Sequence, residues 1–321
     1  MCKTLPWRQH PPCIDVYPGT ALDVNGILQI MASISLLLPS AASGRRNTPL
    51  QMNAANTPLR RPADSTRAIR PIVLFALASG IAGCPPRDQL IEADLQSGRE
   101  RAVPQCRVIG HSVEGRPIEC EIFGEGPDVI LIMASIHGDE PVGTPLLDQL
   151  SAHLRHRPDL LVGRRIILVP VANPDGYAKY LRHNVRDVDL NRNFPAGNYL
   201  ESGRHGESPL SEPESQAIYR VLHEHLPKRI VSIHQPRKLP PCIDYDGPAD
   251  GLAREMASHT DLPVIKLGSR PGSLGAYAGD TMNTPIITLE IPRSREDRDS
   301  LTLWRRYGRM MIAAIEYAGG N

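Results

Sequence analysis

The chain has 321 residues, enough for one large α/β domain with additions or for two average domains. With 41% hydrophobic and 22% charged residues it has the composition of a soluble globular protein. A formal net charge of +1 gives no electrostatic basis for nucleic-acid binding.

Residues 1–70 show no sustained helical or strand period and are rich in Pro, Ser, Asn and Arg, the composition of a segment that is disordered or absent from the mature protein. Within "MNAANTPLRRPADSTRAIRPIVLFALASGIAGCPP", Arg60, Arg61, Arg67 and Arg70 precede a short apolar run from Ile72 to Ala82, which leads into Gly83-Cys84. The pattern resembles a bacterial lipoprotein signal peptide, whose four-residue box ends in the cysteine that becomes lipidated. The run is too short to span a bilayer comfortably. Met52 stands where such a signal begins. The expected organisation is an upstream segment at 1–51, a signal at 52–83, a linker at 84–103 and a folded domain at 104–321. The protein would be anchored to the membrane through Cys84 and face the periplasm; a cytoplasmic protein is the alternative. The earlier run "ILQIMASISLLLPSAAS" lacks an adjacent basic stretch and competes weakly for the same role.

From residue 104 onward, aliphatic and β-branched runs bounded by Gly and Pro predict strands at 104–110, 116–123, 128–136, 165–171, 229–234, 263–267 and 285–291. Helices are predicted at 141–156, 211–226, 248–260 and 297–318. Ser211 with Glu214 three residues on is a capping-box pattern, with Pro213 in the first turn. The alternation implies a single α/β domain with a mixed, largely parallel central sheet flanked by helices and opened by an antiparallel hairpin. Cys106 and Cys120 lie symmetrically within that hairpin, which leaves open a cross-strand disulfide or two half-buried thiols; Cys242 has no evident partner. Residues 172–209 form a long, polar, Gly- and Asn-rich stretch, and a loop of that length in a compact domain is usually functional.

In α/β sheets, ligands bind beyond the carboxyl ends of the strands. The stretch "ILIMASIHGDEPVG" delivers His137 and Glu140 to such an end, "KRIVSIHQP" delivers His234 and "TPIITLEIPR" delivers Glu290. His137 and Glu140 alone could be an i, i+3 surface pair. Together with His234 they are two histidines and one carboxylate, the ligand set of a catalytic zinc site with a fourth position open to water. Glu290 is then free to act as base on that water. In "YLRHNVRDVDLNRNFP", the Arg182, Asn191 and Arg192 cluster suits a substrate ending in a carboxylate, and Asp189 is available to orient His137.

His137-x-x-Glu140, Asn173-Pro174-Asp175-Gly176, Asp189-x-Asn191-Arg192-Asn193, His234 and Glu290 in "TLEIP" occur in that order across residues 104–318 and resemble the zinc carboxypeptidase family. "VANPDGY", "DLNRNFP", "CIDYDGPA" and "RPGSLGAYAGD" look most like a compact branch that cleaves between γ-D-glutamate and meso-diaminopimelate in peptidoglycan peptides. The resemblance implies the carboxypeptidase fold over 104–321 and one Zn²⁺ held by His137, Glu140 and His234. It also implies activation of water by Glu290, oxyanion stabilisation by Arg182, and a grip by Asn191 and Arg192 on the free carboxylate of the leaving residue. Leu274 falls near the position that lines the family's side-chain pocket, and Arg270 is a candidate for reading a second carboxylate. Two departures stand out. Residues Leu267–Pro271 lack the family's loop tyrosine, leaving Tyr277 or Tyr245 as replacements, and Gln235 follows His234 where a small residue or Asp is usual.

The remaining histidines carry no metal spacing. His223 and His225 are expected on the solvated side of a helix, and His153 and His156 late in another, where positive charge favours the dipole. No Gly-x-Ser-x-Gly is present to support a serine hydrolase. The expected activity is zinc-dependent hydrolysis of an amide next to a carboxylate-bearing terminal residue of a peptidoglycan-derived peptide. The rival readings are a general metallocarboxypeptidase, an N-acyl amino acid deacylase and a non-catalytic wall-peptide-binding lipoprotein.

Overall fold

The computed structural model describes residues 101–294 and 299–319. The expectations for the upstream segment, the signal peptide and Cys84 lie outside them. Seven strands form one sheet: β1 (Gln105–His111), β2 (Pro117–Phe123), β3 (Asp128–Ala134), β4 (Arg164–Val169), β5 (Arg229–His234), β6 (Cys242–Asp246) and β7 (Ile286–Glu290). Their order is β1-β2-β4-β3-β5-β7-β6. The four central strands β4, β3, β5 and β7 run parallel, while β1, β2 and β6 are antiparallel to their neighbours. The helices are α1 (Gly143–Arg155), α2 (Pro174–Lys179), α3 (Pro213–His225), α4 (Asp250–Ala257) and α5 (Ser300–Glu316).

The central strands read as near-continuous apolar runs because both of their faces are covered. Ile130, Ile132 and Ala134 of β3 pack on one side with Leu146, Leu147, Leu150 and Leu154 of α1, Met256 of α4 and Leu303, Tyr307 and Met311 of α5. Val129, Leu131 and Met133 face the other side with Ala217, Ile218, Val221 and Leu222 of α3 and with Phe194, Leu274 and Tyr277. The helical residues recur at three- and four-residue spacing and so form one apolar stripe on each helix.

Several local expectations need correction. Residues 263–267 are not a strand; they contribute a single bridge from Val264 to Ile243. The edge strand is Cys242–Asp246, whose Asp244 and Asp246 disguise it as a loop in the sequence. The helix at 211–226 begins at Pro213 with Glu212 as its cap residue and no side-chain cap bond. Glu214 instead accepts from the backbone of Val113 at 3.1 Å and from Asn184 at 3.3 Å, so no capping box forms. Cys106 and Cys120 are not disulfide-bonded: the register sets Cys106 opposite Glu121 and Cys120 opposite Arg107. Burial raises the Cys120 thiol to about 11 and the Cys242 thiol to about 12, so both behave as inert core groups. His223 is not left to solvent alone, since its Nε2 lies 2.7 Å from the Tyr277 hydroxyl.

One polar tie crosses the sheet end. Arg229, buried at the start of β5, binds both carboxylate oxygens of Asp128 (2.8 and 3.0 Å) and donates to the carbonyls of Ala314 and Ile315 in the last turn of α5. Arg229→Met would leave two carbonyls and a half-buried carboxylate without this partner. It is expected to cost about 3 kcal/mol, measured by urea unfolding.

Candidate active site

The motif residues meet on the α3 side of the sheet, at the carboxyl ends of β3, β5 and β7. His234 ends β5 and pairs in register with Glu290, which ends β7. His137 and Glu140 follow β3 in a tight turn made possible by close backbone approach. A Cβ on Gly138 would stand 2.0 Å from the carbonyl carbon of Gly176, so the "HGDE" turn needs glycine where it meets the "NPDG" turn. The second turn is pinned in place. Asn173 caps α2 by accepting from Gly176 N at 2.9 Å, and the fully buried Asp175 accepts from Ser112 Oγ, Glu114 N and Arg116 of the β1–β2 turn.

Three donor atoms converge. Glu140 Oε2 lies 3.1 Å from His137 Nδ1 and 3.0 Å from His234 Nδ1, and the two ring nitrogens are 3.2 Å apart. Among the described residues this is the one group of three His, Cys, Asp or Glu side chains suited to holding a metal ion, and all three are buried. The donor set fits zinc. Ligand bonds of about 2.0–2.1 Å in a tetrahedral site set donor atoms roughly 3.3 Å apart. The far ring nitrogens are held too: His137 Nε2 is 3.0 Å from Asp189 Oδ1, and His234 Nε2 is 3.1 Å from Ser232 Oγ. A proton kept on each Nε2 leaves both Nδ1 lone pairs aimed at the shared centre.

The electrostatics agree. Burial opposes positive charge on His137, but the carboxylates of Glu140 and Asp189 outweigh it and raise its pKa to about 9. Burial would raise the Glu140 and Asp189 carboxyls, yet their histidine partners hold both well below the usual carboxylate range. The centre is therefore one that attracts a cation. Asp189→Asn, which disturbs the His137 tautomer without touching a donor atom, is expected to weaken zinc binding about 10- to 100-fold in a competition titration.

Glu290 is buried and lines the same cavity without joining the converging donors. Burial raises its pKa, and the neighbouring histidines only partly offset this. Arg182, Asn191, Arg192 and Arg270 line the cavity as well, which encloses about 400 Å³. Arg182 binds Glu140 Oε1 at 2.8 Å and lies 3.5 Å from Asp189 Oδ2, tying the ligand shell to the cavity wall. Asn191 accepts from the backbone of Leu274 at 2.9 Å, so the loop bearing the arginines is fastened to the segment that closes the cavity. Burial lowers the Arg192 pKa.

Other expectations fall elsewhere. Leu274 does not line the cavity; its side chain is sealed into the apolar layer, and its neighbours Ser273 and Gly275 face the space. Neither tyrosine replaces the missing loop residue. Tyr277 stacks on Phe194 in the core, and Tyr245 points to the opposite face, bonded to Asp250. Leu267 lines the cavity at that height. Gln235 serves through its backbone, donating to Glu140 Oε2 at 3.1 Å, while its side chain turns to the Pro292 carbonyl. Sequence reasoning did not single out Ser232, Asp139, Asp244 or Asp246. Ser232 carried a signal, two residues from His234 and hence on the same strand face, and Asp244 and Asp246 stand within the "CIDYDGPA" stretch. Buried Asp139 ion-pairs with Arg237 and approaches Arg293 at 4.0 Å, bracing the turn between the ligands.

The zinc carboxypeptidase family is matched over residues 94–239. The chain is 36% identical over 188 residues to murein peptide amidase A of Escherichia coli (strain K12), covering 53% of this chain and 74% of that protein. It is 32% identical over 207 residues to murein peptide amidase A of Vibrio campbellii, covering 57% and 77%. The crystal structure of murein-tripeptide amidase MpaA from Escherichia coli O157 superposes with a TM-score of 0.57 at 29% identity, covering 70% of this chain and 98% of that one. With that fold and those relatives, the chain belongs to the zinc carboxypeptidase family and is a metallopeptidase or amidase that hydrolyses its substrate.

Proposed function

We propose that the protein is a one-zinc amidase releasing meso-diaminopimelate from γ-D-glutamyl-meso-diaminopimelate peptides. The observation that carries this reading is the number of cationic groups in the cavity, which stand beside the lining carboxylates Glu140, Asp244, Asp246 and Glu290. Five cationic side chains, Arg182, Arg192, Arg237, Lys238 and Arg270, line it together with the metal triad. An ordinary peptide brings one terminal carboxylate, whereas L-Ala-γ-D-Glu-meso-diaminopimelate brings three, and guanidinium groups are suited to each. The relatives named for murein peptides support the same choice.

His137, Glu140 and His234 would hold the zinc, which when bound would supply a Lewis acid at this point of the cavity. Glu290 takes a proton from the attacking water as its oxygen bonds to the scissile carbonyl carbon, and returns that proton to the departing nitrogen as the C–N bond breaks. Its raised pKa makes it a stronger base than an exposed carboxylate. Arg182 stabilises the developing oxyanion, Asn191 and Arg192 hold the α-carboxylate of the leaving residue, and Arg270 at the rim reads the distal carboxylate. The test is to incubate zinc-loaded protein with the tripeptide and, separately, with peptides ending in apolar or basic residues. Release of diaminopimelate alone is expected. Cleavage of only the ordinary peptides would replace this reading with a general carboxypeptidase, and inactivity on both would favour deacylation or binding.

The proposed setting is the periplasmic face of the bacterial envelope, with Cys84 lipidated and the domain beside its wall-derived substrate. Cys84→Ser is expected to move the protein from the membrane to the soluble fraction; unchanged fractionation would contradict anchoring there. Among the described residues no helix is long and apolar enough to cross a membrane.

A further inference from the structure

One carboxylate of the proposed substrate and two cations of the cavity are still unmatched. Asn191, Arg192 and Arg270 take the carboxylates of the leaving residue, and Arg182 takes the oxyanion. The α-carboxylate of the D-glutamyl residue has no partner, and neither Arg237 nor Lys238 of the cavity wall has a role. The cations fall into two groups. Arg182 and Arg270 both act on the charge of Arg192. The loops bearing Arg192 and Arg270 are also fastened together, with Phe194 N donating to the Gly272 carbonyl at 3.0 Å and Leu274 N to Asn191 at 2.9 Å. Arg237 and Lys238 belong to a different loop, the one that follows His234 at the end of β5.

Arg237 has the better defined position of the two. Its guanidinium ion-pairs with Asp139, which stands between His137 and Glu140 in the chain, and Arg293 approaches the same carboxylate at 4.0 Å. Asp139 is buried, so its charge needs that company. The Arg237 side chain nevertheless remains 59% exposed. A guanidinium carries five donors in a fixed fork, and a single carboxylate cannot engage them all. Two guanidinium groups on one carboxylate leave an excess of positive charge, and Lys238 makes no ion pair among the described residues to reduce it. Pro236, Pro240 and Pro241 bracket the pair in the chain. Proline fixes φ, so this loop gives up little freedom when a ligand meets it.

We infer that Arg237 is a specificity-determining residue that binds a free carboxylate on the acyl side of the scissile amide, with Lys238 adding charge beside it. This rests on the proposed γ-glutamyl substrate and on Asn191 and Arg192 holding the leaving residue. The acyl and leaving parts of an amide diverge from its carbonyl carbon. With the leaving part drawn toward Arg192 and Arg270, the acyl part runs toward the other cationic loop. In a γ-linked glutamyl residue the α-carboxylate is separated from that carbonyl by three carbons. In an α-linked peptide the chain continues through a neutral amide instead. One charged contact therefore tells γ from α linkage. A glutamyl residue whose α-carboxylate is amidated loses the same contact and leaves the guanidinium without its acceptor in the complex.

The test uses the zinc-loaded full chain and two substrates, L-Ala-γ-D-Glu-meso-diaminopimelate and the same tripeptide with the glutamyl α-carboxylate amidated. The wild type is expected to cleave the first with kcat/KM about 10-fold above the second, the lower end for a hydrogen bond to a charged group because Arg237 is exposed. Arg237→Gln, with zinc content unchanged, is expected to cleave both at about the same rate. Equal wild-type rates on the two peptides would overturn the inference without any variant. A preference that survives in Arg237→Gln, or an equal fall on both peptides, would deny Arg237 this role and overturn it as well. If the wild type cleaves ordinary peptides alone, the γ-glutamyl reading fails, and peptides with glutamate or glutamine before the terminal residue carry the test. A glutamate preference removed by Arg237→Gln supports acyl-side recognition, and no preference sinks it. If nothing is cleaved, Kd values of the two tripeptides from calorimetry carry the same comparison. A gap closed by Arg237→Gln supports the inference, and equal wild-type values contradict it.

Discussion

Glu290→Gln is expected to lower kcat by about 10³-fold while the purified protein keeps its full complement of zinc. The side chain is nearly isosteric, so packing at the end of β7 should survive. Glu290 is not one of the converging donors, which are His137 Nδ1, Glu140 Oε2 and His234 Nδ1. An amide in its place cannot accept a proton from water. The loss should therefore appear in kcat and kcat/KM together, as for a group acting only in the transition state. Metal analysis alongside steady-state kinetics separates the cases. Near-normal turnover in a zinc-loaded variant would remove Glu290 from the mechanism, and loss of zinc would move it into the ligand set.

His234→Ala should have the opposite signature. It removes one of three donor atoms and leaves Ser232 Oγ without its ring partner. It also strips a hydrogen-bond partner from the Glu140 carboxylate, which keeps Gln235 N and His137. Zinc affinity should fall by more than the roughly 10- to 100-fold that an outer partner costs, and turnover should vanish with the metal. Elemental analysis after dialysis checks this directly. Full occupancy in the variant would overturn the assignment of His234 as a ligand.

The parts of this molecule legible in the sequence are those where chemistry and pattern coincide. The apolar runs of β3, β5 and β7 end abruptly at His137, His234 and Glu290, and strand ends are where parallel sheets put function. The Asp189–Arg192 loop was legible for the same reason, being polar, long and rich in guanidinium groups. The misses have physical causes. Strand β6 is only five residues long and carries two aspartates, a residue type depleted in strands, because Asp244 and Asp246 face the cavity while Ile243 and Tyr245 alternate with them toward the apolar layer. The aliphatic run at 263–267 imitated the missing strand, but it makes only one bridge. Leu274 resembled a pocket residue by position, yet a one-residue turn of the backbone gives Ser273 and Gly275 to the cavity and Leu274 to the core. The Ser211–Glu214 pair had the spacing of a capping box, but Glu214 is drawn to Val113 and Asn184, which lie 101 and 30 residues away along the chain. Tertiary partners outbid local pattern in each case.

The most direct test of the account is a zinc titration of the metal-free protein, reading diaminopimelate released from L-Ala-γ-D-Glu-meso-diaminopimelate. Activity absent before addition, rising linearly and levelling at one equivalent of zinc is the predicted result. Hydrolysis that persists without metal, or a fully zinc-loaded protein that releases nothing from this or any other peptide, would contradict it.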